Sequence, residues 1–178
     1  VWLKTFYAKI KDSINLREDG FMAEEIERKF LVNDDSWREH VFRHSKMRQG
    51  YLNDTKQSSV RVRVSGDKAY LNIKSATLGI FRKEYEYAIP VDDANEILSE
   101  LAEKPLIEKI RYYVQYADHL WEVDVFAGDN AGLVVAEVEL NNEDEAFERP
   151  PWLGEEVSGD PRYYNVCLAK HPYKVWSE

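Results

Sequence analysis

Of the 178 residues only Cys167 is a cysteine. No intrachain disulfide framework can form, and a reducing compartment, the cytoplasm, is the expected location. Long apolar runs are missing too: no stretch approaches the roughly 20 apolar residues of a membrane span. No secretory leader is evident, because the apolar start is broken by Lys4, Lys9, Lys11 and Asp12. Histidines number four, and although His40 and His44 are four apart, Glu39 precedes them, so solvated histidines fit better than a zinc pair. Glycines are isolated, and no G-x-x-x-x-G-K-[ST] run occurs; phosphate, if bound, must be held by side chains. Bases are in deficit: 24 Lys and Arg against 33 Asp and Glu give a net charge of −9. That excludes a general nucleic-acid coat and makes any basic function local.

What is present suffices for one folded domain, with 44% hydrophobic and 13% aromatic residues. Residues 1–21 form a separate unit. Trp2, Leu3, Phe6, Tyr7, Ile10 and Ile14 share one face of a 3.6-residue period, predicting an amphipathic helix. Such a helix would suit a membrane surface or a partner helix, but Met22 before Ala23-Glu24-Glu25 reads as a natural start. The expectation is an added extension whose apolar face docks on a neighbouring chain as a dimer contact, with no membrane role; the domain proper is 22–178.

From Glu24 onwards strand patterns dominate. Eight strands are predicted near 24–32, 47–52, 59–64, 68–74, 81–89, 106–116, 120–126 and 132–140. Helices are predicted near 36–45, 92–103 and 161–170, with an ordered loop at Pro150-Pro151-Trp152-Leu153-Gly154. The expected fold is α+β, mostly β: an eight-stranded antiparallel barrel, closed to remove exposed edges, with helices packed outside.

Glu25-Ile26-Glu27-Arg28-Lys29 sets the polarity of that barrel. On a strand Glu25, Glu27 and Lys29 share one face. Charges recur at the same spacing in Arg61/Arg63, Glu84/Glu86, Lys109/Arg111, Glu122/Asp124 and Glu137/Glu139, and within each of these pairs the sign is uniform. A solvated face normally mixes signs, since neighbouring like charges repel. Placing the branched apolar residues inside would also leave the helices little to pack against. The charges are therefore read as lining a polar tunnel. Clustered carboxylates without His or Cys suit a hard cation, Mg²⁺ or Mn²⁺, whereas Lys29, Arg61, Arg63, Lys74, Lys109 and Arg111 suit an anion. A cavity offering both suits a metal-chelated polyphosphate.

At this point the chain resembles the triphosphate tunnel metalloenzyme superfamily, also called CYTH domains, whose E-x-E-x-K signature matches Glu25-Ile26-Glu27-Arg28-Lys29. The likeness continues through Arg48-Gln49-Gly50-Tyr51-Leu52, Arg61/Arg63, Lys74-Ser75, Glu84-Tyr85-Glu86, Glu108 to Tyr112, Glu122 to Phe126, Glu137-Val138-Glu139 and Arg162 to Asn165. The short form looks most like bacterial inorganic tripolyphosphatases. The resemblance implies metal-dependent cleavage of a triphosphate. It assigns metal binding to Glu25, Glu27, Glu137 and Glu139, with Asp124 as a further candidate. It assigns phosphate binding to Lys29, Arg61, Arg63, Lys74, Lys109 and Arg111, with Arg162 closing the tunnel, and makes Glu25, Glu27, Lys29, Arg61 and Arg63 the catalytic set. Glu84, Glu86 and Glu122 are expected to pair with neighbouring bases. A cyclase or thiamine-triphosphatase of the same superfamily would share nearly every lining residue, and a non-catalytic polyphosphate- or nucleotide-binding module is the alternative of a different class.

Overall fold

The computed structural model describes residues 23–55, 58–75 and 81–176; the amphipathic helix expected at 1–21 lies outside them. The described chain is mostly antiparallel sheet. Its strands are β1 (Ala23–Val32), β2 (Val41–Asp54), β3 (Ser58–Ser65), β4 (Lys68–Ser75), β5 (Phe81–Ile89), β6 (Ile107–Tyr116), β7 (His119–Phe126), β8 (Val134–Leu140) and β9 (Leu153–Glu156). Two α-helices, α1 (Val91–Glu100) and α2 (Asn165–Lys170), complete it with short 3₁₀ turns.

The strands run in the order β5-β4-β3-β2-β6-β7-β8-β1-β9. One edge of β1 pairs along β8, from Ile26↔Leu140 to Leu31↔Val135. Its other edge is divided: Ala23 to Ile26 pair with Glu84 to Phe81 of β5, while Phe30 and Val32 pair with Glu156 and Leu153 of β9. The sheet thus has nine strands rather than eight, and its ends meet only over those four β1–β5 pairs instead of closing fully. Residues 153–156, overlapping the loop expected at 150–154, supply the ninth strand because the upper edge of β1 offers backbone groups that need partners.

A second departure lies at 36–45, where a helix was expected. Only Ser36–His40 is helical, as a 3₁₀ turn, and Val41 to His44 belong to β2, paired with Val114 to Tyr112 of β6. Trp37 is buried with its ring 5.1 Å from that of Tyr112. The apolar spacing was compatible with either period, and the open edge of β6 decided it. The C-terminal helix is likewise shorter than 161–170, a 3₁₀ turn at Pro161–Tyr163 preceding α2.

The apolar residues face outward, as the helices require. Val62, Val64, Ala69 and Leu71 pack beneath Ala94, Leu98 and Ala102 at α1. On the other flank Ile26, Phe30, Trp121, Val123, Ala136, Val138 and Leu140 are covered by Trp37, Phe147 and Trp152. A third cluster differs in kind: Leu31, Ile107, Phe126 and Val135 share a face with Lys29, Lys109, Asp124 and Glu137, and Leu168 of α2 packs on them. The inner face therefore carries a charged middle and an apolar floor, sealed by the C-terminal helix.

Candidate active site

Register places the charges on one face. Lys29 is opposite Glu137, Glu27 opposite Glu139, Glu122 opposite Glu137, Arg111 opposite Asp124, and Asn72 lies between Arg61 and Glu86. Residues of the other parity confirm the sense. Arg28 points outward, its Nε donating to Glu156 Oε1 at 2.8 Å and its guanidinium lying 5.2 Å from the Phe147 ring. Arg48, also outside, donates from Nη2 to Asn95 Oδ1 at 2.5 Å.

Two networks line the interior. In the first, Lys29 Nζ donates to Glu137 and, at 3.1 Å, to Glu27 Oε1. Arg111 donates from Nε to Asp124 Oδ1 (2.8 Å), from Nη2 to Asp124 Oδ2 (2.7 Å) and Glu137 Oε2 (2.6 Å), and from Nη1 to Glu122. Lys109 Nζ completes it on Asp124. In the second, Arg63 Nη2 meets Glu86 Oε2 at 2.6 Å, Arg61 Nη2 lies 3.6 Å from Glu84 Oε1, and Lys74 Nζ is 2.8 Å from Glu84 Oε2. Asn72 Nδ2 ties both acids together, 2.7 Å from Glu84 Oε1 and 2.6 Å from Glu86 Oε2. The acids Glu84, Glu86 and Glu122 thus hold bases in place.

Burial makes these pairs electrostatically strong. It pulls the Lys109 ammonium down to about 8, with Arg111 adding to the shift and Asp124 and Glu137 opposing it. Arg111 feels the same desolvation, yet Asp124, Glu122 and Glu137 outweigh it and hold the guanidinium well above its ordinary range. Burial would raise Glu137, but Lys29, Arg111 and Lys109 hold it well below the usual carboxylate range. Arg63 is lowered by burial and by Arg61.

Of the expected site residues, Glu27, Lys29, Lys109, Arg111, Asp124 and Glu137 come together in one network, and Arg61, Arg63 and Lys74 in the second. Glu139 sits by register beside Glu27. Glu25 pairs with Arg82 in register, and its side chain lies outside the described set. Arg162 stands apart: it is exposed and its Nε and Nη2 fork onto Asp160, 3.0 and 2.6 Å from Oδ2. Sequence reasoning passed over Asn72, although parity with Lys74 would have placed it inside. It also assigned no role to Gln49, buried on the same face.

For a cation the donors are carboxylate oxygens, the chemistry of a hard ion. Glu27 and Glu139 face each other across β1 and β8, and like charges directly opposite call for a positive charge nearby. Among the described residues no three acids converge as a ready-made metal cage, and Lys29 pairs with Glu27 and Glu137 while Arg111 pairs with Glu137. Asp124 fits a metal least well, its two oxygens accepting from Arg111 Nε, Arg111 Nη2 and Lys109.

A charged inner face of this kind has relatives. The family model described as CYTH domain matches residues 23–164. This chain belongs to the CYTH family. An inorganic triphosphatase of Acetivibrio thermocellus is 52% identical to this CYTH protein over 157 residues, 88% of this chain and all of the relative. A second, from Nitrosomonas europaea, is 42% identical over 149 residues, 82% of this chain and 96% of the relative. The crystal structure of an inorganic triphosphatase superposes with a TM-score of 0.62 at 40% identity, covering 84% of this chain and 97% of its own. The Pyrococcus horikoshii protein PH1012, at 20% identity and a TM-score of 0.54 over 67% of this chain and 80% of its own, shares the fold.

Proposed function

We infer that this CYTH protein is a triphosphatase, and that its substrate is inorganic tripolyphosphate hydrolysed with Mg²⁺ or Mn²⁺. The observation that carries this reading is the inner face itself: six bases and their partner acids, with Lys29, Arg61, Lys109, Arg111, Asp124 and Glu137 buried, above an apolar floor. The relatives named inorganic triphosphatases support the substrate class.

Lys29, Arg61, Arg63, Lys74, Lys109 and Arg111 bind the phosphates, exchanging carboxylate partners for phosphate oxygens, and so neutralise charge developing during transfer. Glu27, Glu137 and Glu139, with Glu25 of the same motif, are the carboxylates that would hold the cation. Bound there, a divalent ion supplies charge neutralisation and polarises a water. Asp124 is better assigned to orienting Lys109 and Arg111 than to holding metal. Arg162 takes no part while forked on Asp160. Cys167, which forms no disulfide, fits the reducing cytoplasm, and residues 1–21 are offered as a contact for a second copy, which sedimentation with and without them tests.

The deciding experiment is phosphate release from tripolyphosphate, ATP and thiamine triphosphate with Mg²⁺, Mn²⁺ or EDTA, for wild type, Glu27→Gln and Arg61→Ala. Metal-dependent release favouring tripolyphosphate, reduced at least a hundredfold in both variants, is expected. Binding without release from any substrate would leave a binding module or, if cyclic AMP forms from ATP, a cyclase.

A further inference from the structure

Gln49 is 1% exposed, and neither Nε2 nor Oε1 of its amide has a hydrogen-bond partner. Its position on β2 is inward: Arg48 on one side reaches Asn95 outside, and Gly50 on the other packs against Ala102, Leu98 and Leu106. Register sets Gln49 between Arg63 of β3 and Ile107 of β6, at the step where the apolar floor gives way to the bases. Directly opposed side chains have Cβ atoms about 5 Å apart, so the amide lies within reach of whatever Arg63 and Lys109 hold. It is not alone: Arg61 Nε and Arg63 Nε are buried donors without a partner as well.

An unpartnered buried amide is costly, and an apolar side chain of the same shape would serve the free protein better. The neighbours on this wall account for its retention. Lys109 and Arg61 are buried too, each beside an acid: Lys109 on Asp124 and Arg61 near Glu84. Arg63 is the base set directly opposite Gln49, so a phosphate drawn to its guanidinium would come within reach of the amide.

We propose that Gln49 is a further substrate-binding residue, its Nε2 donating to a phosphate oxygen at the inner end of the triphosphate, between Arg63 and Lys109. This rests on the reading of the tunnel as a triphosphate site. A neutral donor there completes the oxygen's coordination without adding another cation beside Lys109, whose charge burial already disfavours.

Two isosteric variants test it. Gln49→Met removes the donor and Gln49→Glu turns it into a repelling carboxylate. Expected are a Kd for tripolyphosphate, measured by calorimetry in EDTA, and a KM in Mg²⁺ both raised about tenfold for Gln49→Met, and more for Gln49→Glu. The thermal midpoint of ligand-free Gln49→Met should equal or exceed that of wild type. A variant Kd equal to that of wild type, a Gln49→Glu that binds more tightly, or a ligand-free Gln49→Met that is less stable yet binds normally would overturn the assignment in favour of a purely structural amide. If wild type itself neither binds nor turns over tripolyphosphate, the reading of the whole tunnel falls, and Gln49 with it.

Discussion

Lys29 and Glu137 are cross-strand partners on β1 and β8, joined by a buried ion pair, and Lys29 also reaches Glu27. The acids suited to a cation are thus bonded to a base suited to phosphate. On the reading proposed above, a cation at Glu27 and Glu137 would free Lys29, and phosphate drawing Lys29 and Arg111 away would free the carboxylates. Each ligand lowers the cost of admitting the other, and such coupling is reciprocal. Pyrophosphate binding should tighten at least fivefold when Mg²⁺ is present, and Mg²⁺ binding by the same factor when pyrophosphate is present. Calorimetry in both orders reads this, and independent affinities would refute it.

Asp124 is fully buried between Lys109 and Arg111. Replacing it by Asn leaves two cations beside a neutral amide, which should cost about 3 kcal/mol and lower Tm by roughly 6–12 °C. If Asp124 positions bases, kcat/KM falls while the Mg²⁺ concentration giving half-maximal rate stays put. A severalfold rise in that concentration would restore Asp124 to the metal-binding set.

The Lys109 ammonium titrates near 8 in the folded protein against an ordinary value of 10.5. Between those limits the unfolded chain binds more protons at this group than the folded one, so its contribution makes stability rise with pH. Urea unfolding of wild type and Lys109→Met at pH 7.5 and 9.5 isolates the effect, since other groups titrate in both. The stability difference should move in favour of wild type at the higher pH; an unchanged gap would show that Lys109 titrates normally.

Gly50 fits where a side chain cannot. A Cβ there would lie 2.7 Å from Ala102 Cβ and 2.8 Å from Leu106 Cδ2, so Gly50→Ala should force β2 and α1 apart and destabilise by about 1–3 kcal/mol. A lowered thermal midpoint with Gly50→Ala is the expected result, and an unchanged one would mean that this packing yields easily.

Much of the inner face was legible in the chain because inward and outward positions alternate with a local period of two. The runs 27–29, 109–111, 122–124 and 137–139 therefore announced their parity. Asn72 and Gln49 escaped because an uncharged polar residue amid a strand carries no comparable sign pattern. Val41 to His44 misled for a related reason: with Trp37 their spacing suits a helix, and only pairing with β6 excluded it. Residues 153–156 showed too short a run, containing Gly154, to declare a strand before β1 offered its edge.

The sequence by itself determined that charges line one face of a mostly β domain, with acids and bases brought to the same side of their strands. Strand alternation is a property of the local backbone and needs no partner. Tertiary structure alone decided which acid neutralises which base, that β9 takes the remaining edge of β1, that Leu168 seals the floor, and that Gln49 is left without a partner. Those outcomes depend on the stagger between strands distant in the chain, which sets register, burial and dielectric together.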